Sequence, residues 1–143
     1  MLPPQVQSVI TVYNLVEVND GVQMYPTVLK YVYWDSTYGM TMRQQAVETK
    51  DRVRIIIPID VKAEAERTYI DPFYYKLLCD TVRPKHWTLA KGDKVINQVV
   101  GDTFERPRDL EEALGISNVL TITEVSPNLF GSKHMQHYDV TGR

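Results

Sequence analysis

Ser8-Val9-Ile10-Thr11-Val12-Tyr13-Asn14-Leu15-Val16 is built almost wholly from β-branched and aromatic residues. Val18-Asn19-Asp20-Gly21 follows with turn chemistry, Gly21 being free to take a positive φ. Residues 27–34 repeat the β signal, with Leu29, Tyr31 and Tyr33 on one face and Val28, Lys30, Val32 and Trp34 on the other. The two stretches predict a long hairpin, and the rest of the chain is read outward from it. Val53-Arg54-Ile55-Ile56-Ile57-Pro58-Ile59 returns as a strand whose proline marks an edge or bulge. Further strands are expected at 94–100, 118–125 and 134–140, with turns at Lys91-Gly92-Asp93 and Pro127-Asn128. Asp71-Pro72 has the chemistry of a helix start, predicting a helix over 72–79, and Pro107 with Gly115 brackets a second over 107–114 that ends in a left-handed residue. Mostly strands, with two short helices in connections, predict a single domain over 1–143: a mainly β barrel or sandwich, and not a doubly wound α/β sheet.

Composition supports one folded unit. The 143 residues are 43% hydrophobic, with 16 basic against 18 acidic side chains and a net charge of -2. A chain of this length buries about 70% of its unfolded surface, enough for a core without metal or disulfide. The one cysteine, Cys79, can form no intramolecular bridge and excludes Cys-based zinc patterns. Balanced charge argues against a protein that grips nucleic acid through a basic face. Met1-Leu2-Pro3-Pro4-Gln5 carries no basic lead into an apolar stretch, and Ile55-Ile56-Ile57 is far short of the ~20 residues of a membrane span, so neither a secretion signal nor a membrane association is expected.

Motifs of catalysis are scarce, and no catalytic, cofactor-binding or metal-binding residue is expected. His134-Met135-Gln136-His137-Tyr138-Asp139 holds two imidazoles and a carboxylate, but on a strand His134 and His137 point to opposite sides. No serine sits in a nucleophile elbow, and Cys79 reads as a small hydrophobe packed at the end of a helix. Gly131-Ser132-Lys133 lacks the phosphate-loop frame. Asp109, Glu111 and Glu112 read as solvated charge near a helix start, and Arg52 and Arg54 as one side of a strand flanked by acids. Tyrosine combines a large ring with a polar tip, so the clusters Tyr31, Tyr33, Trp34 and Tyr69, Tyr74, Tyr75 suit either an assembly surface or ordinary sheet packing.

Several stretches together resemble a family of small proteins encoded in the head-to-tail joining region of tailed bacteriophages and prophages. They are Ile10-Thr11-Val12-Tyr13-Asn14, the aromatic strand closing on Trp34, residues 53–59, Tyr69-Ile70-Asp71-Pro72, Trp87-Thr88-Leu89 with Gly92-Asp93, and Asn128-Leu129-Phe130-Gly131-Ser132 with the motif from His134 to Val140. Tyr138 stands where the family is expected to show Trp. The resemblance implies a virion structural component of the neck and not an enzyme. Of the classes found there, the head-completion stopper is typically a small β-barrel with long loops. It forms a homo-oligomeric ring that closes the portal channel, meets portal or adaptor and tail proteins, and lets DNA pass without specific binding. Such a protein is assembled in the bacterial host cytoplasm. A tail terminator or another minor virion protein is the alternative within this class. A metal-dependent hydrolase using His134, His137 and Asp139, or a carbohydrate- or receptor-binding β-module, is the alternative outside it.

Under the joining reading the expected interface residues are Tyr31, Tyr33, Trp34, Phe130, His134, His137 and Tyr138, with Phe130 burying its ring against a neighbour and His134 and Tyr138 sharing one strand face. The channel-narrowing loop is expected at 35–51, or failing that at 101–107.

Overall fold

The computed structural model describes residues 7–18, 21–35, 52–100, 104, 106–115 and 118–143. The hairpin is its spine: β1 (Gln7–Val18) and β2 (Gly21–Asp35) pair antiparallel from Val18↔Gly21 out to Gln7↔Tyr33. Antiparallel β3 (Val53–Pro58) and β9 (His137–Gly142) continue from β2. On the other side of β1 lies β7 (Lys94–Ile96), which pairs with β8 (Leu120–Asn128), and β8 meets β9. The order β1-β7-β8-β9-β3-β2 returns to β1, so six strands close into an antiparallel barrel, with β4 (Lys62–Ala63) added on β2. Closure satisfies the strand edges that an open sheet leaves exposed. A separate parallel pair joins β5 (Thr68–Tyr69) to β6 (His86–Trp87).

Alternation fills the barrel. Val53, Ile55 and Ile57 of β3 point inward and meet Ile10, Val12, Leu29, Ile122 and Val140, while Arg54, Ile56 and Pro58 face out. A second core lies outside β1, where Tyr13 packs under Leu110 of helix α2 (Pro107–Leu114). The expected faces of β2 hold only as far as Lys30. Tyr31 has a φ of +66°, and the β1–β2 register slips, with Ser8 opposite Val32 but Val9 opposite Lys30. Tyr31 is thus the extra residue of a β-bulge, which turns Val32 inward beside Leu29 and leaves Tyr31 itself 55% exposed.

Helix α1 (Pro72–Leu77) begins as expected, Asp71 accepting the Phe73 N–H at 2.9 Å. It ends two residues before the expected limit, where Leu78 takes extended backbone. Cys79 therefore lies past the helix and is exposed, not packed, with its thiol 3.2 Å from the Thr81 hydroxyl. That hydroxyl and the Val82 backbone hold the thiol below its ordinary pKa. Helix α2 has the expected bounds, although Gly115 has φ 89° with an extended ψ of 130° in place of a left-handed stop. The strand expected at 94–100 stops at Ile96. Pro127 and Asn128, expected as a turn, remain in β8, and the chain turns over 129–136 instead. Residues 36–51, expected as the channel loop, lie outside the described residues, as do 101–103 and 105 of the second choice.

Where the chain enters β7, a carboxylate replaces the missing ladder to β1. Asp93 Oδ1 accepts the Leu15 N–H at 3.1 Å, and Oδ2 accepts Asn14 Nδ2 at 2.9 Å and the Ala90 N–H at 3.2 Å. Asn14 in turn donates to the Thr88 carbonyl at 2.6 Å and accepts the Thr88 N–H at 3.2 Å. The buried side chains of Asn14 and Asp93 are thereby satisfied from within the chain. Burial pushes the Asp93 carboxyl up to about 6, while the Asn14, Leu15 and Ala90 donors oppose the shift.

Candidate interaction surface

Because Ile56 and Pro58 face outward, the barrel wall beside the bulge is apolar. The turn after β3 folds over it, with the Val61 N–H donating to the Pro58 carbonyl at 3.0 Å, and the Ile59 N–H donates to the Gln136 carbonyl at 3.0 Å. The two loops so joined enclose an open groove of about 590 Å³. Tyr31, Ile56, Pro58, Val61 and Met135 supply its apolar surface, and Lys30, Asp60, Lys62, His134 and His137 its polar groups.

Three of the expected interface residues, Tyr31, His134 and His137, therefore meet in one groove. The two histidines do not share a strand as expected, because His134 lies in a 3₁₀ turn (Lys133–Met135) and β9 begins only at His137. His134 and Tyr138 consequently share no strand face. His137 Nδ1 donates to the Met135 carbonyl at 3.0 Å, and His134 Nε2 lies 3.5 Å from the Ser132 hydroxyl. Phe130 projects from the loop with its side chain 81% exposed. Tyr138 is only 8% exposed and faces the core, its ring 4.6 Å from that of Tyr69, which meets Trp87 at 5.0 Å. Tyr33 is half-buried opposite Ile56, and Trp34 packs against the core.

The remaining candidates are engaged structurally. Asp139 pairs with Arg54, Nη2 to Oδ2 at 2.7 Å and Nε to both oxygens at 3.1 Å. Glu111, expected to be solvated, is half-buried and ties α2 to β7 through Lys94 at 3.2 Å. Asp109 and Glu112 pair with Arg106 and Arg108 at 3.0 and 3.3 Å. Among the described residues no three of His, Cys, Asp and Glu are placed to hold a metal ion. EDTA dialysis should therefore leave the thermal midpoint unchanged; a drop of several degrees that added zinc restores would contradict this. No helix among the described residues is long and apolar enough to cross a membrane.

Sequence reading missed Lys30, Lys62, Ile56, Val61 and Met135, which converge only through the barrel. It also missed the exposure of Phe73 and Leu77 on α1, where Tyr74, named above as a candidate surface residue, is exposed as well. A signal for the latter existed: Phe73-Tyr74-Tyr75 and Leu77-Leu78 leave this short helix apolar on more sides than one packing stripe can cover.

Fold and groove together define a small, closed antiparallel β-barrel whose outer wall carries an open, largely apolar recess. The chain belongs to DUF6751, a family of unknown function, whose model matches residues 5–143. Comparison with curated proteins and with solved structures gave no match.

Proposed function

We propose that the protein is a structural component of the bacteriophage neck, a stopper-like subunit whose copies form a ring below the portal and close its channel until the tail docks. The observation that carries this reading is the closed barrel bearing exposed apolar side chains on its connections: Phe130 and Met135 between β8 and β9, Phe73 and Leu77 on helix α1. Exposed apolar patches of this kind fit a chain that completes its surface in an assembly. The family resemblance of the C-terminal motif supports the same reading. A net charge of -2 suits a subunit that lets DNA pass without holding it. The neighbours in the particle are then further copies of the chain, the portal or adaptor above and tail proteins below, in a virion assembled in the host cytoplasm.

Inactivating the gene in the phage or prophage that carries it provides the test. Electron microscopy of the lysate should show filled or leaking heads and separate, complete tails. Normal numbers of joined, infectious particles would overturn the proposal.

A further inference from the structure

Helix α1 is held firmly and yet presents its apolar side to solvent. Arg83 is buried and donates to the carbonyls of Tyr75, Lys76 and Leu78, and its guanidinium lies over the rings of Tyr25 and Tyr75 at 5.4 and 5.8 Å. Within the helix only Tyr75 is buried, while Phe73 and Leu77 are 67% and 69% exposed. Spaced i, i+4, those two side chains share one face.

The groove is apolar along its wall and cationic at its rim. Lys30 and Lys62 are directly opposite each other across β2 and β4, a like-charge pair that a carboxylate from outside would relieve. Asp60 is the groove's own carboxylate. The helix side offers carboxylates, Asp71 and Asp80, on either side of Lys76, all exposed; Asp80 also pairs with Arg83 at 3.0 Å. No residue belongs to both surfaces.

We propose that α1 of one copy docks in the groove of the next, Phe73 and Leu77 covering the apolar wall and the flanking carboxylates approaching Lys30 and Lys62. Two different surfaces of one chain make a heterologous contact, which repeats in one direction and can close as a ring. Closure into a ring rests on the neck reading above; the contact itself does not.

Two double variants on exposed residues test it: Phe73→Ala with Leu77→Ala, and Lys30→Glu with Lys62→Glu. Sedimentation of the wild-type chain should show self-association that rises with concentration, and each variant alone should lose it at least tenfold. A mixture of the two should recover a one-to-one pair and nothing longer, since only one intact helix and one intact groove remain. A wild-type chain that stays monomeric at about 1 mM, variants that associate like wild type, or a mixture that fails to pair would each overturn the contact. If the variants lose association while particles carrying them still join heads to tails, the contact stands and the neck reading fails. If association survives both variants while joining depends on the protein, the contact fails and the neck reading stands.

Discussion

Replacing Tyr138 by alanine should lower the stability of the fold by about 3–5 kcal/mol, the usual cost of emptying an aromatic site in a packed core. For a chain of this size that moves the thermal midpoint by on the order of 10 °C. The reason is the stack beneath the barrel wall, in which Tyr138 lies against Tyr69 and Tyr69 against Trp87. Burial and the neighbouring Tyr138 push the hydroxyl of the half-buried Tyr69 up to about 12. Phe130→Ala, eight residues earlier in the same motif, should change stability by less than about 0.5 kcal/mol because that ring touches mostly solvent. Denaturant melts of the two variants separate a core residue from a surface one. Equal effects would contradict the placement of both.

Asp93→Asn should also destabilise the protein, by about 1–3 kcal/mol at pH 4.5, and the gap to wild type should narrow as the pH rises. Three N–H donors converge on the carboxyl, and an asparagine amide would turn an NH₂ toward at least one of them. The pH dependence follows from burial. A carboxyl raised from 3.8 to about 6 in the fold holds its proton more tightly there than in the unfolded chain. Its stabilising contribution is then fully present below pH 3.8 and is lost as the pH rises through about 6. A rise of that size corresponds to about 3 kcal/mol. Asparagine does not titrate, so the variant escapes this loss. Melts of both proteins at pH 4.5 and 7.5 give the sign directly. A gap that widens with pH would mean that the three donors outweigh burial and that Asp93 is held as the anion.

The parts of the fold legible in the sequence are those fixed by local chemistry. β-branched runs on either side of Val18-Asn19-Asp20-Gly21 gave β1 and β2, Asp71-Pro72 gave the start of α1, and Pro107 with Gly115 gave both ends of α2. What could not be read is decided by partners distant in sequence. The alternation of β2 continues through Tyr31 without a break, yet the pairing with Ser8 and Val9 makes that residue a bulge. Val99 and Val100 have strand chemistry, but β7 ends before them. Pro127 reads as a turn, and it sits instead in the half of β8 that outlasts β7, where a proline is tolerated because one side of the strand is unpaired. The surface was legible in pieces. Tyr31, His134 and His137 were singled out separately for their chemistry, and only the closed barrel, with a 3₁₀ turn in place of an earlier strand, brings them to one groove.

The proposed place of this barrel in the neck of the particle is read directly by cryo-electron microscopy of purified virions. A ring of identical six-stranded barrels is expected between the portal and the tail tube, with α1 of each copy in the groove of its neighbour. Particles whose neck contains no such ring, and whose proteins do not include this chain, would contradict it.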